Sequence, residues 1–151
     1  MGLMECMVDT CIINWLVDGR IQTADLPDDL EYVATHIQVD EISRTPDAER
    51  RTRLLTKFAE RVAECVPTET AVLGVSRLNH CKLGSGTIYG AVKRQLDRRN
   101  GGKANNTHDA LIAEVAIMNG YELLTCDRDL VEVAREHGVK VRGFTFGERG
   151  A

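Results

Sequence analysis

Apolar positions along this chain switch between two periods. Short apolar runs of strand length alternate with longer stretches in which they recur every three or four residues, as on a helix with one buried face. Cys6 to Asp9 reads as a strand that ends where TCIINWLVDG starts a helix. Thr10 is the expected cap, Ile12, Ile13, Leu16 and Val17 form the buried side, and Gly19 lies near the end. A loose segment rich in Asp and Pro, Thr23 to Asp29, leads to YVATHI, a second strand of β-branched and aromatic residues. QVDEISR is a helical turn. TPDAERRTRLLTKFAERVAECV is a long amphipathic helix, with Thr45 as N-cap, Pro46 in the first position, and Leu54, Leu55, Phe58, Val62 and Cys65 on its apolar stripe.

The second half continues the alternation. TAVLGV has strand length, GSG is a loop, TIYGAVKRQLDRR is a helix and NGGKANN an exposed loop. THDALIAEVAIMNG is a helix capped by Thr107 and stopped by Gly120. Only Glu114 is polar between Ala110 and Met118, so this helix is expected deep in the core. YELLTC is a strand, RDLVEVAREHG a helix ended by Gly138, and VKVRGF a last strand. Neither a repeat nor a linker divides residues 1–151, so one α/β domain is expected, a parallel sheet with helices on both faces.

Composition narrows the class. No apolar run approaches the roughly 20 residues that span a bilayer. The start, MGLMECMVDT, lacks a basic region followed by a long apolar run, so a cytoplasmic location is expected. Cys6, Cys11, Cys65, Cys81 and Cys126 are odd in number and show no C-x-x-C spacing. They are therefore expected as buried, reduced thiols rather than a disulfide framework or a zinc site. The net charge of −4 does not mark a general nucleic-acid binder, but it leaves room for a local basic stripe.

The acids carry the chemistry. In open α/β sheets, sites form at the carboxyl ends of strands. Asp9 ends the first strand, Asp40 and Glu41 follow the second, Asp109 opens the buried helix, and Asp127 follows ELLTC. Carboxylates gathered at one sheet edge repel one another, and a cation relieves them. Oxygen ligands suit Mg2+ or Mn2+, which activate water in phosphodiester hydrolysis. Each acid also has a plainer reading: Asp9 as a turn or cap residue, Asp109 as a first-turn acid, Glu41 as a solvated helix acid. Adjacent residues point apart on a helix, so at most one of Asp40 and Glu41 faces the site. Glu114 lies roughly 140° around the helix from Asp109 and does not share its face. Asp129 forms a D-x-x-E capping box with Glu132, whereas Asp127 has Leu130 at that offset. This assigns Asp129 to the helix cap and leaves Asp127 for the metal.

VDTCIINWL, THIQVDEI, HDALIAEVAIMNGYELLTCDRDL and the closing GVKV resemble, in order and spacing, the PIN-domain family. The stretch from Ala71 to Asn106 does not carry the resemblance. The resemblance implies a three-layer α/β/α sandwich with a central parallel sheet. It also implies metal-dependent endonucleolytic cleavage of single-stranded RNA, with Mg2+ or Mn2+ as cofactor. Many small members are homodimeric toxins paired with an antitoxin protein. The family's acidic site carries over to Asp9, Glu41, Asp109 and Asp127, with metal on Asp9, Asp109 and Asp127. Thr125 matches a polar position that bonds a carboxylate or water, and Asp129 stands behind the ligands.

RNA phosphates would be met by a basic stripe of Lys93, Arg94, Arg98, Arg99 and Lys103, which otherwise reads as a solvated helix face and loop. His36, His80, His108 and His137 do not cluster by spacing. Two other functions stay open. One is a catalytically weak PIN-like module that binds RNA or a protein. The other is a phosphoryl-transfer domain, although DTC lacks the D-x-D of the haloacid-dehalogenase type.

Overall fold

A computed structural model describes residues 2–142. The expected positions Gly143 and Phe144 of the last strand lie outside the described residues. The chain runs β1 (Met4–Val8), α1 (Thr10–Val17), a 3-10 turn (Thr23–Asp25), β2 (Leu30–Ala34), α2 (His36–Ser43), α3 (Ala48–Arg61) and β3 (Glu64–Cys65). It continues through α4 (Thr87–Asn100), α5 (Asn106–Asn119), β4 (Glu122–Leu124), α6 (Arg128–Glu136) and β5 (Val141–Arg142). The strands form one parallel sheet in the order β3-β2-β1-β4-β5. This is the expected α/β/α sandwich around a central parallel sheet.

Alternation along the strands splits the core between two faces. Met7, Val33 and Leu123 point to α4, α5 and α6. Cys6, Val8, Tyr32, Ala34 and Leu124 point the other way, to Ile12 of α1 and Phe58 of α3. Ala110 to Ala116 are all buried, because α5 is enclosed between the sheet and its neighbouring helices. A fully buried Leu such as Leu111 contributes about 1.5–3 kcal/mol over an exposed one. Glu114, the polar residue in that run, points at α4. Its Oε2 accepts the Tyr89 N–H at 2.9 Å. This satisfies a first-turn donor that Gly86, the N-cap without a side chain, cannot reach.

Several element ends differ from expectation, and each has a local cause. Asp9, not Thr10, caps α1; Asp47, not Thr45, caps α3, its side chain accepting from Arg50 N at 2.8 Å. Asn105, not Thr107, precedes α5, and Asn106 is buried rather than part of an exposed loop. Asn106 bonds Asp97 and Asn100, which fastens α5 to the end of α4. Thr35, directly after β2, caps α2, so His36 and Ile37 of the expected strand are helical.

TAVLGV forms no strand. Gly74 turns it at φ +80°, Leu73 is fully exposed, and Val72 and Val75 pack on the core. The edge strand is instead Glu64–Cys65, taken from the end of the expected helix. Ala63 N and Val66 N bond the Tyr32 and Ala34 carbonyls, so pairing with β2 overrides the helical pattern there. Cys65 is consequently exposed.

The irregular segment that follows is held by Glu69, which bonds Lys82 and Asn119. Gly84 N donates to the Glu69 carbonyl at 2.9 Å, and a Cβ at Gly84 would collide with that carbonyl.

Candidate active site

The strand order turns back between β1 and β4. The chain builds outward through β2 and β3, then returns to add β4 and β5 on the other side. Such a switch point leaves an open crevice at the strand ends. Val8 pairs with Leu124, and Asp9 N continues the ladder to the Leu124 carbonyl at 3.0 Å. Asp9 and Thr125 are therefore neighbours. Thr125 Oγ1 donates to Asp9 Oδ2 at 2.7 Å and accepts from Asp127 N at 3.1 Å. One buried hydroxyl thus links two of the nominated acids. Asp9 Oδ1 accepts from Thr10 N at 2.8 Å. Burial raises the Asp9 pKa, the bonds from Thr125 and Thr10 lower it, and the Asp127 charge raises it.

Glu41 and Asp109 face the same charges. Burial, then the nearby Asp9, pushes Glu41 to about 7. Burial, then Asp9, Asp127 and Glu41, pushes Asp109 to about 8, with Lys103 acting against the shift. Four acids from four separate elements therefore share one field. Asp40 lies apart from it. Burial opposes its ionisation, but bonds from His36 (3.0 Å) and Arg77 (2.6 and 3.1 Å) outweigh that and hold its pKa low.

The assignment of the helix cap is reversed. Asp127 is the N-cap of α6, its Oδ1 accepting from Asp129 N (2.9 Å) and Leu130 N (3.2 Å). Asp129 lies in the first turn and receives Arg99 Nε at 3.3 Å. The D-x-x-E offset misled because the strand stops at Leu124, which brings the cap two residues earlier. Both capping bonds fall on Oδ1, so the cap does not by itself remove Asp127 from the acidic centre.

Of the basic stripe, Lys93 is paired with Asp97 along its own helix, and Arg99 with Asp129. Arg94 and Arg98 also lie on α4, while Lys103 sits in the loop beside Asp109.

His108 was legible in the sequence only as the neighbour of Asp109, and the other contacts here escaped the sequence reading. His108 Nδ1 lies 3.6 Å from Glu41 Oε1, and the His36 and His80 rings are 6.0 Å apart, so three of the histidines do approach the α2 region. Cys11 and Cys126 are joined as a disulfide across 115 residues, contrary to the expectation of reduced thiols. Sequence spacing cannot show this pairing, because it arises where β1 and β4 end side by side. A usable signal was present: Cys11 lies two residues after Asp9, and Cys126 directly precedes Asp127.

Among the described residues, no three His, Cys, Asp or Glu side chains stand ready to hold a metal ion. The donor set nevertheless fits a hard divalent cation in kind. It is all oxygen, three of its acids are held above their ordinary pKa, and Glu41 Oε1 is buried without a hydrogen-bond partner.

Comparison with known proteins agrees on the fold. No family model matches the sequence, and no curated protein matches it. Solved structures do. VapBC-1 from nontypeable Haemophilus influenzae is 21% identical with TM-score 0.58, over 92% of this chain and 97% of that one. VapBC2 from Rickettsia felis, solved bound to a DNA fragment from its promoter, is 17% identical with TM-score 0.57, over 92% and 98%. VapBC-5 from Mycobacterium tuberculosis, of the VapBC family of toxin–antitoxin systems, is 14% identical with TM-score 0.51, over 93% and 99%. At these identities the likeness establishes a shared fold, and that fold is PIN-like. Among the described residues no helix is long and apolar enough to cross a membrane.

Proposed function

We propose that this chain is a Mg2+- or Mn2+-dependent endoribonuclease that cleaves single-stranded RNA. In this reading it is the toxin of a toxin–antitoxin pair, paired with an antitoxin protein and acting in the cytoplasm as a homodimer. The observation that carries the nuclease reading is the gathering of Asp9, Glu41, Asp109 and Asp127 at the switch point, with Asp109 and Glu41 pushed to about 8 and about 7. A protein keeps such repulsion where function requires it. The toxin reading draws on the fold shared with the VapBC structures.

Asp9, Asp109 and Asp127 would hold the cation, which supplies charge neutralisation at the phosphate and a more acidic bound water. Glu41 orients the attacking water and takes its proton, a task suited to a carboxylate poised near neutrality. Thr125 fixes Asp9 against Asp127. Asp129 holds Arg99 in place. The stripe of Lys93, Arg94, Arg98, Arg99 and Lys103 receives RNA phosphates by charge. Labelled single-stranded RNA incubated with the protein and Mn2+ tests the reading. Internal cleavage by wild type, lost in Asp9→Asn and Glu41→Gln, is expected. Equal cleavage by Asp9→Asn would end it.

A further inference from the structure

We propose that Cys11 and Cys126 form a thiol–disulfide exchange site that reacts with low-molecular-weight disulfides and sets how tightly the acidic centre holds its cation. The inference rests on the reading of that centre as a divalent-cation site. The two Cα atoms are 6.3 Å apart, within the range a disulfide spans. Both residues are partly exposed, unlike the fully buried Cys6, so a small disulfide can reach them.

The pair adjoins two proposed ligands. Cys11 lies in the first turn of α1 after Asp9, and Cys126 lies between Thr125 and Asp127. Cys11 Sγ is 3.7 Å from Asp9 Oδ2 and 3.7 Å from Thr125 Oγ1, and it accepts the Cys126 N–H at 3.1 Å. In the joined state neither sulfur carries a proton, so Asp9 Oδ2 keeps only the Thr125 bond and is open to a cation. In the reduced state the Cys11 S–H can donate to that same oxygen and compete with the cation. The unbonded sulfurs must also move apart, which loosens the loop of Asp127 from Asp9.

Oxidation proceeds by two exchanges. One cysteine sulfur attacks the small disulfide, forming a mixed disulfide and releasing one thiol. The second cysteine sulfur then attacks the protein-bound sulfur and releases the other thiol. The two thiol protons leave with the products, and the two electrons lost by the protein reduce the small disulfide to two thiols.

The test uses the full chain equilibrated with glutathione disulfide or with a phosphine reductant. Alkylation with mass spectrometry should label three cysteines after oxidation and five after reduction. Calorimetry should show a Mn2+ Kd roughly tenfold or more higher in the reduced protein, as disturbed support of a ligand typically gives. Cys126→Ser, with Cys11→Ser as a second variant, should show no dependence on redox state. Five labelled cysteines after oxidation, or one Mn2+ Kd in both states, would overturn the proposal. A redox-dependent Mn2+ Kd without RNA cleavage would remove the nuclease reading and leave this one standing.

Discussion

Replacing Asp109 with Asn should stabilise the metal-free protein near neutral pH. Asp109 is raised from 3.8 to about 8 by burial and by Asp9, Asp127 and Glu41. The folded chain therefore keeps a proton that the unfolded chain has released, and stability falls as pH rises from about 4 to about 8. At pH 7.5 the shift corresponds to about 5 kcal/mol, at about 1.4 kcal/mol for each pH unit. Burial accounts for the largest part of that shift and Asn still buries a polar amide there, while the remaining acids still repel one another, so the substitution should recover only part of it, about 2 kcal/mol. For a chain of this size that is a rise of roughly 4–8 °C in Tm. Thermal unfolding in chelator at pH 5, 6, 7 and 8 measures it. The gain should shrink towards pH 5, where wild type is protonated as well. Saturating Mn2+ should reverse the order, because only wild type keeps the full ligand set. A wild-type Tm that is flat between pH 5 and 8, or an Asn variant less stable at every pH, would refute the reasoning.

Other substitutions separate neighbouring roles. At pH 5, where protonated Asp109 and Glu41 no longer repel it, Asp127→Ala shows the loss of its helix cap alone and should destabilise by about 0.5–2 kcal/mol. Asp129→Ala, which loses only the partly exposed Arg99 bridge, should stay within about 1 kcal/mol; urea titrations of both variants decide. Gly84→Ala should lower stability by about 1–3 kcal/mol, read as a Tm drop, because its Cβ meets the Glu69 carbonyl. Arg94→Glu with Arg98→Glu should weaken RNA binding and flatten its salt dependence by about 0.7 in log–log slope for each lost phosphate contact. Anisotropy titrations in chelator check this, and an unchanged slope would discard α4 as the RNA face.

β1, β2, β4, β5 and the helices were legible because they follow from hydrophobic period, and the four acids were nominated by where those strands end. Asp9 and Asp127 fall at strand ends however the boundaries shift by a residue. The caps were less legible. At α1, α3, α5 and α6 a Ser, Thr or Asp stood within two residues of the true cap, and sequence alone cannot choose between adjacent oxygens. β3 was hidden because Glu64 and Cys65 continue a helical pattern, and only pairing with β2 makes them a strand. Cys11–Cys126 and the His108–Glu41 approach depend on tertiary placement, which no local period encodes.

Glu114 gives α5 a second role. The helix carries Asp109 in its first turn and, five residues later, the carboxylate that caps α4. At about 1.5 Å per residue, the acids and the start of the basic helix are referenced to one rigid rod about 7.5 Å apart along its axis. The solvent face of α4 can then vary its side chains freely without moving the carboxylates. In the proposed nuclease, preference among RNAs and the power to cut could then change independently.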